Sequence, residues 1–127
     1  MININLKATG IDMTPALRSY VEDKMQSLEK FIDQKIVAQA DVEIGQTTHH
    51  HQSGSIFRCE INLTIPGDLI RAVAQEEDLY AAIDVAKDEL LDEVRRRKER
   101  KTKSGRRGAR MFKDFIRKFG FGKGDEA

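Results

Sequence analysis

A chain of 127 residues is one ordinary domain with little left for a second. Its 39% hydrophobic and 34% charged residues describe a globular but charge-rich protein, and one cysteine cannot form an internal disulfide, which argues against a stapled secreted scaffold. The opening MININLKATG alternates apolar and polar residues instead of building a signal-peptide core, and no run of about 18 apolar residues exists to span a bilayer, so the expectation is a soluble cytoplasmic protein.

Ile2, Ile4 and Leu6 alternate with Asn3, Asn5 and Lys7, the pattern of a half-buried strand. Gly10 and Asp12 mark a loop, and Thr14-Pro15 then offers a capping hydroxyl followed by a proline whose missing N–H is harmless at a helix start. Leu17, Val21, Leu28, Phe31 and Ile32 predict an amphipathic helix over 15–31. A second strand is expected over 36–48 from Ala40, Val42 and Ile44, and Thr47 to Gly54 reads as a hairpin loop. Phe57, Cys59, Ile61, Leu63 and Ile65 give the clearest alternation, ended by the turn signal Pro66-Gly67-Asp68. A fourth strand covers 69–75, and Asp78 can cap a final helix over 78–101 whose apolar face holds Tyr80, Ile83, Leu90 and Val94.

The order β-α-β-β-β-α describes an α+β domain, a four-stranded sheet with two helices on one face. The first two strands should be parallel with a right-handed crossover between them, and the later strands antiparallel. This domain is expected over 1–101, and 102–127, rich in glycine and basic residues, reads as a disordered tail.

Charge is divided along the chain. Residues 1–94 carry 8 Lys/Arg against 17 Asp/Glu, a net −9, and residues 95–127 carry 14 against 4, a net +10. A basic arm on an acidic body seeks a polyanion or an anionic membrane. The apolar stripe of the last helix stops at Val94, and Arg95, Arg96, Arg97, Lys98, Arg100 and Lys101 then surround the axis. A helix polar on every side is not packed on a sheet, and here it suits phosphate contact, with Arg106, Arg107 and Arg110 continuing the same sign. The competing reading is a solvated helix end.

Lys24 falls between Val21 and Leu28, and Lys87 between Ile83 and Leu90, both on apolar stripes. Either their stems snorkel past the core, or the two lysines line a basic groove between the helices. In His49-His50-His51, consecutive residues of a strand point to opposite faces, so at most two of the three converge, too few for the roughly three or four ligands of a zinc site. Neither a nucleophile elbow nor a phosphate-cradling glycine motif is present, and no cofactor is implied. Phe112, Phe115, Ile116 and Phe119 recur at helical spacing among Arg110, Lys113, Arg117 and Lys118, which suits RNA, a partner groove or a membrane surface.

The segment Asp78-Leu79-Tyr80-Ala81-Ala82-Ile83-Asp84 resembles the opening of the last helix in the ribosome hibernation-promoting factor and ribosome-associated inhibitor family of the sigma-54 modulation protein superfamily. Thr14-Pro15-Ala16-Leu17-Arg18, the stretch from Lys24 to Leu28-Glu29 and the element order add to the resemblance, which covers about 1–101. It implies a fold like the double-stranded RNA-binding domain and a non-enzymatic action. Family members occupy the decoding channel of the small ribosomal subunit, where messenger and transfer RNA would sit, and so silence and protect idle ribosomes under stress. Carried onto this chain, the ribosomal RNA contacts fall on Arg18 and Lys24 of the first helix and on Arg95–Lys98 of the last. Glu89 and Asp92 depart from the family, which has basic residues there, and Lys87 is the nearby compensation. The 26 residues after 101 are too few for the ribosome-dimerising domain of the long family form.

The expected partner is therefore the small subunit and its ribosomal RNA, bound by a monomeric protein with neither a small-molecule substrate nor a membrane. A stand-alone structured-RNA-binding protein is the alternative, and a membrane-surface adaptor working through 111–119 is the reading from another class.

Overall fold

A computed structural model describes residues 1–47 and 56–119, with backbone alone over 101–109 and 111–119. The elements run β1 (Ile2–Thr9), α1 (Pro15–Gln26), a 3₁₀ turn (Glu29–Phe31), β2 (Ala38–Thr47), β3 (Ile56–Ile65), β4 (Asp68–Glu76) and α2 (Leu79–Phe119). The sheet order is β1-β2-β3-β4, with β1 parallel to β2 and both later pairings antiparallel. The histidine run 49–51 and residues 120–127 lie outside the described residues.

Alternation puts one row of every strand on the same side. Leu6 stands opposite Val42, Val42 opposite Ile61, and Ile61 opposite Ala72. The buried residues of the sheet join Leu17, Val21, Met25 and Leu28 from the first helical region and Ala82, Ile83, Ala86, Leu90 and Val94 from α2 in one core. Each fully buried Leu or Ile contributes about 1.5–3 kcal/mol relative to exposure. Small residues alternate with large ones across this core: Ala38 and Ala40 in β2, Ala72 and Ala74 in β4, Ala82 and Ala86 in α2. Cys59 is part of it, and burial pushes its thiol up to about 12, leaving it protonated and unreactive.

Local chemistry sets the element ends. The Leu17 amide donates to the Thr14 hydroxyl (3.1 Å), with Pro15 opening α1. The Ala81 amide donates to the Asp78 carboxylate (3.0 Å) at the start of α2. Pro66-Gly67 joins β3 to β4, with Gly67 at φ +79, a conformation that favours glycine. At Gly45 the constraint is space, since a Cβ there would lie 2.8 Å from the Thr9 carbonyl oxygen on the neighbouring strand.

Two helix bounds differ from the sequence reading. The first helix ends at Gln26 instead of 31, because the Ser27 hydroxyl donates to the Lys24 carbonyl (2.6 Å) and the Leu28 amide to the Met25 carbonyl (3.0 Å), tightening the chain into a 3₁₀ turn. Both helix types return a side chain to the core after three residues, so Leu28 is still buried and the apolar spacing did not register the change. The last helix continues to Phe119, and residues 102–119 are helical instead of the disordered tail expected from their composition. Gly105 and Gly108 each disfavour helix by about 1 kcal/mol, but the surrounding Arg, Lys, Ala and Met are strong helix formers and no proline intervenes. The chain divides into two compact units, Met1–Val94 and Arg95–Ala127, at the residue where the apolar stripe and the acidic composition both end.

Candidate nucleic-acid interface

Within Met1–Val94, the flanks of the two buried helix stripes meet in a polar cluster. Tyr20 and Lys24 are one turn apart on α1, and Tyr80, Asp84 and Lys87 occupy successive turns of α2. The Tyr20 hydroxyl donates to Asp84 Oδ1 at 2.5 Å, and Lys24 Nζ lies 3.2 Å from the same oxygen. The Lys24 ammonium is also 5.2 Å from the centroid of the Tyr20 ring. Tyr80 packs edge-to-face on Tyr20, with centroids 4.8 Å apart and planes at 85°. The cluster ties α1 to α2 across 64 residues of sequence.

Both lysines that interrupt the apolar stripes are half-buried, with side-chain exposures of 34% for Lys24 and 19% for Lys87. Their stems cover core at the stripe edges while their amines meet carboxylates, Lys24 at Asp84 and Lys87 at Asp88 (3.7 Å). Tyr80 does not belong to the core face assigned to it from sequence. It is 39% exposed, because it stands about a quarter-turn from the buried stripe centred on Ile83, Ala86 and Leu90.

Electrostatics couples the cluster. The hydrogen bond to Asp84 raises the Tyr20 pKa above its ordinary value, with burial acting in the same direction. Asp84 likewise raises that of Lys24, by hydrogen bonding against an opposing desolvation. Desolvation pushes Asp84 itself upward, but the Tyr20 and Lys24 hydrogen bonds and the charges of Lys24 and Lys87 outweigh it and hold the carboxyl below its usual range. Asp84 therefore stabilises the fold above its unfolded pKa and loses that contribution as pH falls through its lowered value. Lys24 and Tyr20 stabilise below their unfolded pKa values and lose their contribution as pH rises through the raised ones. The thermal advantage of the parent over Asp84→Asn should thus be greatest between about pH 4 and about pH 10 and shrink on both sides, as measured by thermal melts across pH.

The other basic residues are distributed more simply. Arg18 is exposed on α1, 4.0 Å from Glu22, a surface pair of little energetic weight. Arg58 and Arg71 both meet Glu60 on the sheet face opposite the helices. On α2, Arg95, Arg96, Lys98, Arg100 and Arg110 are exposed and Arg97 is half-buried, while Lys101, Arg106 and Arg107 stand on its helical backbone. The structure thus brings Lys24 onto Asp84 and leaves Lys87 at Asp88, near enough for its charge to act on Asp84, whereas Arg18 stands apart with Glu22. The roles of Tyr20 and Asp84 escaped the sequence reading. Their signal was present as two i, i+4 pairs beside apolar stripes, Tyr20/Lys24 and Tyr80/Asp84, but spacing alone did not say that the two pairs meet. Among the described residues, no group of His, Cys, Asp and Glu is placed to hold a metal ion, and no helix is long and apolar enough to cross a membrane.

The fold and much of the sequence recur in known proteins. The chain is 32% identical over 103 residues to a ribosome hibernation promotion factor of Deinococcus radiodurans, covering 81% of this chain and 52% of that protein. It is 29% identical over 97 residues to the factor of the same name from Bacillus subtilis, covering 76% and 49%. The chain spans about half the length of these curated relatives. Among solved structures, the N-terminal domain of Thermus thermophilus Protein Y is similar at TM-score 0.63 and 34% identity, with 75% of this chain and 96% of that one covered. A ribosomal subunit interface protein from Coxiella burnetii shares the fold at TM-score 0.57 and 24% identity, with 78% and 99% covered. The family model described as Sigma 54 modulation protein / S30EA ribosomal protein matches residues 4–102, and the chain belongs to that family.

Proposed function

We propose that the protein is a ribosome hibernation factor that binds the decoding channel of the small ribosomal subunit, inhibits translation there and protects idle ribosomes. The observation that carries the reading is the family match over 4–102, which spans the sheet, α1 and the part of α2 that turns from apolar to basic. The action is occlusion and not catalysis: the protein competes with messenger and transfer RNA for ribosomal RNA and leaves no substrate chemically altered. It works in the cytoplasm, as a monomer when free.

The proposed RNA contacts are Arg18 and Lys24 on α1, with Lys87, Arg95, Arg96, Arg97, Lys98, Arg100, Lys101, Arg106, Arg107 and Arg110 on α2. Each neutralised phosphate releases counterions, so binding should weaken steeply with salt. Glu89 and Asp92 are exposed on α2 and oppose such contacts in its middle turns, which leaves the half-buried lysines and the basic stretch after Val94 to supply them. The helical backbone over 110–119 supports a further contact, because it places Phe112, Phe115, Ile116 and Phe119 at i, i+3, i+4 and i+7 among basic residues. Such a segment suits RNA or a ribosomal-protein groove.

Ribosomes preloaded with messenger and initiator transfer RNA should bind the protein more weakly than vacant ribosomes in a co-sedimentation assay. Equal binding to both would sink the channel reading. Binding to anionic vesicles in place of ribosomes would instead make the basic segment a membrane anchor.

A further inference from the structure

We propose that Asp84 is a positioning residue: together with Tyr20 it holds the Lys24 ammonium at the junction of α1 and α2 as the contact for a nucleic-acid phosphate. The inference rests on the ribosomal RNA-binding reading above and names a device within that surface.

A lysine on a helix flank ordinarily sweeps a large volume, and ordering it on a phosphate costs side-chain entropy. Lys24 is ordered before any partner arrives. Its ammonium is held at 3.2 Å by Asp84 Oδ1 and sits beside the Tyr20 ring at 5.2 Å. Tyr20 is itself fixed twice, by its hydroxyl on the same Asp84 oxygen (2.5 Å) and by the edge-to-face contact with Tyr80. Asp84 and Tyr20 occupy at most two of the ammonium's three donors, and the side chain remains 34% exposed, so a donor is left for an incoming oxygen. The hydrogen bond that the Lys24 ammonium donates to Asp84 also favours the protonated amine. Lys87 adds a second positive charge close enough to act on Asp84.

This arrangement makes an expectation opposite to that of charge counting. A carboxylate beside a phosphate-binding lysine repels the phosphate, so if Asp84 did nothing else, removing its charge would tighten binding. A positioning role predicts weaker binding. Asp84→Asn keeps the size and an acceptor for the Tyr20 hydroxyl while releasing Lys24.

The test measures binding of the full chain to vacant small ribosomal subunits as a function of salt, at temperatures where thermal melts show each variant folded. Asp84→Asn should bind about 5-fold more weakly near 0.1 M salt, with a log–log salt slope shallower by about 0.7–0.9, the loss of one phosphate contact. Lys24→Met should weaken binding similarly, and Lys24→Met with Asp84→Asn should be no weaker than Lys24→Met alone, because Asp84 acts through Lys24. A helix staple without a positioning role would change the melting temperature and leave the slope untouched. Tyr20→Phe, which removes only the hydroxyl, should produce a smaller loss of the same kind. Equal or tighter binding by Asp84→Asn, an unchanged slope, or additive losses in the double variant would overturn this inference alone. If the parent chain does not bind the subunits at all, the functional reading fails and this inference with it.

Discussion

Replacing Arg95, Arg96, Arg97 and Lys98 together by Gln is expected to lower affinity for small ribosomal subunits roughly 600- to 4,000-fold near 0.1 M salt. The size follows from counterion release: about four phosphate contacts, each with a log–log slope of about 0.7–0.9, multiply to that range. Gln is a good helix former, so α2 should persist. The four residues lie beyond Val94, the last core residue of the helix, so the melting temperature of Met1–Val94 should change little. Equilibrium binding across a salt series decides the matter. A loss below about 3-fold with an unchanged slope would mean that this basic stretch touches no RNA.

Ile83→Ala is expected to have the largest effect on the fold itself, a loss of about 2–5 kcal/mol. Ile83 is fully buried in the core beside Ala82 and Ala86 on α2, where the small neighbours cannot expand to fill the space left by the deleted atoms. Against a typical domain stability of about 5–15 kcal/mol, that loss leaves the variant marginal. Denaturant unfolding should show a lower midpoint with little change in slope. Ribosome binding should fall only as far as the folded fraction falls, which separates this variant from the charge variants, whose folded fraction is intact. A loss under about 1 kcal/mol would mean that the core collapses around the site far better than the fixed sheet suggests.

Alternation and turn chemistry were enough to read the four strands, their pairing directions and the two helices on one sheet face from the chain alone. Period two in Phe57 through Ile65 admits one buried face, and Pro66-Gly67 admits little besides a tight turn. Local caps were equally legible, since Thr14 and Asp78 act on amides three residues away in sequence. The end of the first helix was hidden, because a 3₁₀ turn and an α-helix both return a residue to the core after three positions. The helical run from 102 to 119 was hidden for another reason: its glycines and uniform charge resemble an unfolded arm in composition, although most of its residues favour helix.

The polar cluster belongs to the tertiary structure. Sequence spacing put Lys24 and Lys87 on apolar stripes and left open whether they snorkel or line a groove. A stripe has edges, and what meets a lysine at that edge depends on how α1 and α2 lie against each other on the sheet. Packing brings Tyr20 and Lys24 to Asp84, 60 residues and more along the chain, and leaves Lys87 at Asp88 with its charge acting on Asp84 as well. The chain by itself determined the charge division at Val94, because net charge is additive along a sequence. Only the fold decided which carboxylate each half-buried lysine faces, because ion pairing depends on distance in space.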